Sequence, residues 1–472
     1  MTVSGISERW HLQPSEQRWL LIIGDLLMGL IALFLSLYFW AAGDAWMNFS
    51  IEFLRSRPDF WYYLLPLLWI ILIIELYDLK KANNLIETLK GIGLGTSIYI
   101  ILYLVFYFTS EPNSLPRLGV AVFIISVALL TLAWRMIYIR LFRTASLQRR
   151  VLIVGAGKAG STLVDVLDQQ DPPPFNLIGL VDDDPNKIGT KIHQHPILAG
   201  GGQLLDLIRS EKISDLVLAI SGEMESGMFH AILSAQEAGI NLTTMSEMYE
   251  SLLGRVPIFL LESDWVIRSF VEKIPASNIY RILKRGLDVL GGLVGLAVLV
   301  VIYPFVALAI LIDSGKPVIF KQERLGRGGN PYALLKFRTM FMGDMVNGEQ
   351  PMTSKNDPRI TRVGRFLRKT HLDEWPQFLN VLHGEMSLVG PRSERREFVQ
   401  IFQEKIPFYR ARMLVKPGIT GWAQINQSYA ETVEETAVKL EYDLYYIQHR
   451  NIFMDIVILI RTIGSSLGFK GR

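Results

Sequence analysis

Apolar and polar positions alternate in long blocks over the first 140 residues. Four apolar runs, about Trp19–Trp40, Phe60–Tyr77, Ile92–Phe108 and Leu118–Ile139, each approach the ~20 residues a helix needs to cross the hydrocarbon core of a bilayer. Trp40, Trp61, Tyr62, Tyr77 and Tyr107 stand at run ends, where aromatic side chains anchor helices at the membrane interface. The pattern predicts a four-helix transmembrane domain over residues 1–145. Four such runs in so short a stretch weigh against buried helices of a soluble protein. Glu75 and a short third core make the second and third runs the least regular.

Basic residues orient these runs. Arg9 and Arg18 precede the first, Lys80, Lys81 and Lys90 separate the second from the third, and Arg140, Arg143, Arg149 and Arg150 follow the fourth. The other two loops carry only Arg55, Arg57 and Arg117. The positive-inside bias puts the N-terminus and residue 150 in the cytoplasm, as in a multi-pass membrane protein. The opening segment is long and polar, and no small-residue cleavage site closes the first run, so no cleavable signal peptide is expected.

From residue 146 to 272 the period changes. Val151–Val154 reads as a buried strand, and Gly155, Gly157 and Gly160 follow as GxGxxG opening a helix. A second strand, Leu177–Val181, ends at Asp182, somewhat beyond the usual spacing of a ribose-binding acid. A helical stretch, Gln203–Glu211, precedes a third strand, Leu216–Ile220, and the block ends near Phe270. These elements predict a Rossmann-like α/β domain. Its glycines either bind a dinucleotide or nucleotide-sugar, or simply make a tight turn for packing.

A fifth apolar segment, Gly286–Ile312, is also long enough to span. Parity argues against a crossing, because a fifth passage would export everything after residue 312. Pro304 breaks the helical pattern, and Lys284, Arg285, Lys316 and Lys321 flank it. The expected form is a re-entrant helix that dips into the inner leaflet and bends at Pro304. It opens a mostly α C-terminal domain over 278–472, whose tail, Val438–Leu467, reads as amphipathic helices on the membrane surface.

Composition then narrows the chemistry. The chain has no cysteine, which excludes disulfides, thiol catalysis and cysteine metal sites, and its seven histidines form no HExxH pattern. A net charge of +3 does not mark nucleic acid as a partner. What remains is an acidic pair among arginines. Asp373 and Glu374 lie three and two residues before Pro376, so a helix is expected to begin at about the pair, with Trp375, Phe378, Leu379 and Leu382 on one face and Gly384 as its stop. Acids at a helix start, with Lys336, Arg338, Arg359, Arg365, Arg368 and Arg392 nearby in sequence, suggest phosphate chemistry.

The C-terminal block resembles the bacterial sugar transferases, the polyprenyl-phosphate hexose-1-phosphate transferases. The resemblance is carried by Lys284-Arg285-xx-Asp288, KFRTM at 336–340, LDEWPQFLNVLHGEMSLVGPR at 372–392 and KPGITGWAQIN at 416–426. Four membrane helices and a Rossmann-like module upstream are similar to large members that start exopolysaccharide or O-antigen synthesis. The resemblance implies transfer of hexose 1-phosphate, glucose or galactose, from a UDP-sugar to undecaprenyl phosphate with release of UMP. It implies Asp373 as the nucleophile that forms an aspartyl-phosphosugar and Glu374 as a ligand of Mg²⁺. Among the nearby cations, Lys336, Arg338, Arg368 and Arg392 are expected to contact phosphate or nucleotide, and the resemblance implies membrane lipid and a homodimer as partners. Two positions depart from the family: Pro391-Arg392-Ser393 replaces Pro-Arg-Pro, and Tyr303-Pro304 replaces Ser-Pro at the helix bend.

Two other readings compete. Tyr280 and Lys284 form YxxxK, the pair of an NAD-dependent nucleotide-sugar dehydratase or epimerase. A non-catalytic membrane scaffold with a nucleotide-sensing module would use only the Rossmann block, for which a regulatory or assembly role is expected.

Overall fold

Of the four N-terminal apolar runs, three become helices long and apolar enough to cross a membrane: α1 (Pro14–Ala42), and two later helices containing Leu85–Phe108 and Arg117–Leu141. The structure is a computed structural model, and its described residues are 14–43, 48–109, 116–142, 149–170, 173–220, 222, 224–260, 277–341, 357–427 and 432–467. Arg9 and Arg143 of the orientation argument lie outside them, as does the expected end of the α/β block near Phe270.

The second run departs from the four-helix expectation. After α2 (Ile51–Ser56) it divides into a 3₁₀ turn (Phe60–Leu64), α3 (Leu65–Leu72) and a second 3₁₀ turn (Ile74–Tyr77), followed by α4 (Leu79–Ala82). Its longest continuous helical piece, Phe60–Leu72, is about 20 Å long, short of the ~30 Å hydrocarbon core. Glu75 pairs with Lys81, and the Leu76 carbonyl accepts from Arg135 Nη1 at 2.8 Å. Arg135 also bonds Asp25 at 2.6 Å, and both side chains are fully buried. The 3₁₀ turn thus presents a carbonyl to a buried arginine on α6 (Arg117–Phe142), which with α1 and α5 (Leu85–Thr109) encloses the break. Removing one partner of such a pair costs about 3–5 kcal/mol, so the broken turn is firmly held.

The α/β block follows the expected pattern. Strands β1 (Arg150–Val154), β2 (Asn176–Val181), β3 (Lys191–Ile192), β4 (His195–Ala199), β5 (Asp215–Leu218) and β6 (Asn241–Thr244) form one sheet in the order β3-β4-β2-β1-β5-β6. All pairs are parallel except β3 with β4. Val151 through Val154 are fully buried, as a central parallel strand with both faces covered requires. The helices are α7 (Lys158–Asp168), α8 (Leu204–Ser210) and α9 (Ser226–Glu237). Leu152 and Val154 pack with Leu204, Ile208, Met228 and Ile232 of the last two.

The chain divides into units Met1–Met245 and Ser246–Arg472, so the boundary falls well before residue 272. The reason is burial. The segment after α10 (Met245–Leu253) inserts Val256 and Ile258, 0% and 1% exposed, into a core shared with Ala437, Leu440 and Leu444. Trp422 Nε1 donates to the Gly254 carbonyl at 2.7 Å, and Arg255 pairs with Glu441 at 3.3 Å.

The second unit is built on α11 (Asn278–Ser314), 37 residues and about 55 Å along its axis. The helix runs unbroken through Pro304, a residue that bends a helix without ending it. Its N-terminal third is bolted down. Arg285 donates to the Val381 and Leu382 carbonyls at 2.9 and 2.8 Å, and Asp288 accepts from Ser387 Oγ and Leu388 N at 2.8 and 2.9 Å. Gly292 and Gly295 admit Leu382 and Phe378 where a Cβ would overlap them. The far end is held as well, because Asp313 accepts from Val363 N at 3.0 Å. The opposite face leaves Val294, Val301, Phe305 and Ile312 exposed.

After α11 come the hairpin β7 (Ile319–Leu325) and β8 (Pro331–Phe337), then α12 (Arg362–Lys369), α13 (Gln377–His383), β9 (Ser387–Val389) and α14 (Arg396–Lys405). β10 (Gly418–Thr420) pairs parallel with β9, and α15 (Trp422–Asn426), α16 (Val433–His449) and α17 (Ile452–Leu467) close the fold. The tail reading needs correction. α16 buries Ala437, Leu440, Glu441, Asp443, Leu444 and Tyr446, so it is a core helix and not a membrane-surface one. Its apolar stripe meets protein, and its buried acids meet Arg255 and Arg412.

Candidate active site

The acidic pair sits at the meeting point of three segments. Thr361 caps α12 through Gly364 N at 2.8 Å, and Gly364 is required there because a Cβ would overlap the Thr339 carbonyl. After α12, His371 adopts a left-handed conformation (φ 55°, ψ 15°). A left-handed non-glycine residue is costly and persists only where its surroundings hold it. It turns the chain into a single 3₁₀ turn, Leu372–Glu374, and α13 starts only after Pro376. The expected helix start at the pair is therefore displaced by three to four residues. Gly384 ends α13 in a left-handed conformation, as anticipated.

The 3₁₀ turn resolves a geometric difficulty. Neighbouring side chains in it diverge by roughly 120°, since there are three residues per turn. Glu374 Oε1 accepts from Lys336 Nζ at 2.8 Å and from Arg392 Nη2 at 2.7 Å. Asp373, 8% exposed, makes no hydrogen bond among the described residues. Arg368 lies close enough to stabilise its charge and is steadied by Thr339 Oγ1 at 2.9 Å. Asn380, 1% exposed, ties α13 to β8 through the Ala333 carbonyl at 2.8 Å and Leu335 N at 3.1 Å. It fixes the strand that carries Lys336, and it lies off the apolar face of Trp375, Phe378, Leu379 and Leu382, so the sequence pattern did not mark it.

Electrostatics separate the two acids. Burial raises the Asp373 carboxyl above its ordinary range and the Glu374 charge raises it further, against the pull of Lys336, Arg368 and Arg392. Burial opposes ionisation of Glu374 too, but Arg392 and Lys336 hold it well below the usual carboxylate range. Paired groups pushed apart in this way carry different chemical roles. The described residues contain no cluster of three or more His, Asp or Glu able to hold a metal ion. Mg²⁺ needs only one or two carboxylates when phosphate oxygens complete its shell. Glu374 fits that requirement, because only one of its two oxygens is taken by Lys336 and Arg392.

Other candidate residues fall elsewhere. Arg338 is not presented to the acids. β8 ends at Phe337, and the Arg338 guanidinium donates to Lys316 O at 2.7 Å, Ser314 Oγ at 2.9 Å and Gly315 O, closing the end of α11. Tyr280 and Lys284 both contact Asp455, at 3.1 Å each, and Lys284 also donates to Val389 O, so YxxxK anchors α11 to α17 and β9. In the α/β block, a Cβ on Gly155 or Gly160 would overlap backbone, whereas Gly157 faces open space. Asp182 is engaged by the glycine turn and by its own loop, accepting from Ala156 N at 2.7 Å, Asp184 N at 3.0 Å and Lys187 Nζ at 3.1 Å.

A charged frame behind Arg392 escaped the sequence reading. Arg412, 4% exposed, forms an ion pair with Asp443 at 2.8 Å and hydrogen bonds with Tyr409 Oη at 2.7 Å and the Arg392 carbonyl at 3.0 Å. Glu394 meets Lys439 at 2.9 Å, Arg412 at 3.5 Å and Arg324 at 3.7 Å. Burial opposes its charge, but these cations hold its pKa at about 2. Charged positions inside the apolar pattern of α16 were the signal available.

Comparison with known proteins places these features. Residues 279–468 match the family described as bacterial sugar transferase, and residues 73–245 match one described as a CoA-binding domain. The chain is 37% identical over 254 residues to the UDP-N-acetylgalactosamine-undecaprenyl-phosphate N-acetylgalactosaminephosphotransferase of Aeromonas hydrophila, covering 54% of this chain and 58% of that protein. It is 41% identical over 201 residues to the UDP-glucose:undecaprenyl-phosphate glucose-1-phosphate transferase of Escherichia coli (strain K12), covering 42% of each. The protein of the same name in Klebsiella pneumoniae is 33% identical over 345 residues, covering 69% of this chain and 68% of that one. The chain thus spans from about two-fifths to two-thirds of the length of these relatives.

Proposed function

Since the chain belongs to the bacterial sugar transferase family, we propose that it transfers hexose 1-phosphate from a UDP-sugar to undecaprenyl phosphate, releasing UMP. The observation that carries this reading is the divergence of the acidic pair, with Glu374 between Lys336 and Arg392 and Asp373 without a hydrogen-bonding partner among the described residues. In the first step an Asp373 oxygen attacks the phosphorus bearing the sugar, the bond to the UMP oxygen breaks, and UMP leaves. In the second, an oxygen of the lipid phosphate attacks that phosphorus and frees the Asp373 carboxylate. A carboxylate nucleophile divides one difficult transfer into two. Such transfers need mainly positioning and neutralised charge, which Arg392, Lys336 and Arg368 supply. Bound Mg²⁺, held by Glu374, would draw charge from the phosphate oxygens. We expect glucose or galactose as the sugar. The experiment is a UMP-release panel in membranes with Mg²⁺ and polyprenyl phosphate, across UDP-glucose, UDP-galactose and their N-acetyl forms. Release with one donor supports the reading, and silence with all four overturns it.

We further propose that α11 is re-entrant and keeps this unit on the cytoplasmic side of the inner membrane, where UDP-sugar and the lipid phosphate head meet. Supporting this, the helix is gripped near its start by Asp288 and at its end by Asp313, both within one unit. A spanning helix would carry those grips to opposite faces of the bilayer. Because the chain has no native cysteine, single cysteines at Arg281 and Lys321 report sidedness directly. Both should react with an impermeant maleimide only from the cytoplasmic side; labelling of Lys321→Cys from the periplasm would contradict re-entry.

A further inference from the structure

The turn Pro391–Arg395 brings Arg392 to Glu374, yet it contains neither helix nor strand to stiffen it. Its backbone is held from outside. Arg392 O accepts from Arg412 Nη2 at 3.0 Å, Ser393 O from Arg324 Nη1 at 3.1 Å, and Glu394 O from Leu325 N at 3.1 Å. Of these grips, the Arg412 one acts on the residue that touches the acidic pair. Arg412 is itself fixed from three sides, by Asp443 of α16, by Tyr409 and by Glu394. A planar guanidinium can satisfy these partners together, which an ammonium cannot.

We propose that Arg412 is a positioning residue: anchored by Asp443, it holds the Arg392 backbone so that the Arg392 guanidinium meets Glu374. The inference rests on the proposed function only for its rate readout. A buried arginine has a structural duty as well, and removing it strands Asp443 and Glu394. Arg412→Gln is therefore paired with Arg412→Gln/Asp443→Asn, which withdraws one stranded charge and keeps the fold testable.

Two readouts on the full-length protein decide the matter. The first needs no activity: phenylglyoxal modification of Arg392, followed by peptide mass spectrometry. Loss of Arg412 should release Arg392 and speed its modification several-fold in both variants. The second is UMP release, where kcat should fall roughly 10–100-fold, the scale expected for misplacing a catalytic contact, with little change in KM. Arg392→Gln combined with Arg412→Gln should be no slower than Arg392→Gln alone, because both remove one interaction. Unchanged Arg392 reactivity in the double variant, or losses that multiply, would overturn the proposal. A wild-type protein that releases no UMP would instead sink the proposed function, and the modification arm would still judge Arg412.

Discussion

Asp373→Asn should lower UMP release by on the order of 10⁴-fold or more, the scale seen when a covalent nucleophile is removed. Asn keeps the size of the side chain and cannot form the aspartyl-phosphosugar. A general-base or metal-only role for Asp373 would leave a smaller loss, and full activity would remove it from the chemistry. Stability guards against misreading the result. Asp373 is 8% exposed, and burial and Glu374 raise its pKa above the ordinary 3.8. A carboxyl raised on folding contributes its stability below 3.8 and loses it as pH climbs through the folded value. At neutral pH the ionised Asp373 therefore weakens the fold, and Asp373→Asn should melt no lower than wild type, and somewhat higher. An inactive variant that melts much lower would be a folding defect. The same shift predicts the pH profile, because attack requires the carboxylate. The acidic limb of kcat/KM should lie above 3.8 and fall as pH drops through it.

Glu374→Gln carries the second large effect. One oxygen of Glu374 faces two cations at 2.8 and 2.7 Å, so neutralising it leaves Lys336 and Arg392 repelling each other. The side chains are 15%, 21% and 35% exposed, so solvent screens part of the loss, and about 1–3 kcal/mol of stability should go. The rate should fall by roughly 10²–10³-fold, as for removal of one preorganised electrostatic contact, and the Mg²⁺ requirement should rise. The acidic limb should move the other way. Glu374 is one of the two causes that raise Asp373, so its neutralisation lowers the pH at which Asp373 ionises. A slower enzyme with its acidic limb moved to lower pH is the combined signature; an unchanged rate and unchanged Mg²⁺ dependence would contradict the role.

Legibility in the sequence followed the range of the interactions involved. The strand–glycine–helix start of the α/β block was readable because Val151–Val154 and Gly155–Gly160 are contiguous and Gly155 and Gly160 each answer a local steric demand. The acidic pair and its link to Lys336 and Arg392 were readable as a cluster of types, though not as a 3₁₀ turn, since that turn depends on His371 leaving the right-handed region. Arg338 was misplaced for a related reason. It shares the period-two spacing of Lys336, but β8 stops at Phe337 and the next side chain turns to the end of α11. Long-range partners were the least visible. The break in the second apolar run depends on Arg135, 59 residues beyond Leu76. α16 read as a membrane-surface helix because an amphipathic stripe does not say what covers it. Val256 and Ile258, far upstream, cover it here.

The central claim is a covalent phosphosugar on Asp373, and mass spectrometry of the protein mixed with UDP-sugar and Mg²⁺, without lipid acceptor, tests it most directly. The account predicts a burst of up to one UMP per active site and a hexose-phosphate adduct on the peptide containing Asp373, discharged when polyprenyl phosphate is added and absent from Asp373→Asn. Acceptor-dependent UMP release with no burst, or an adduct on any other residue, would contradict it.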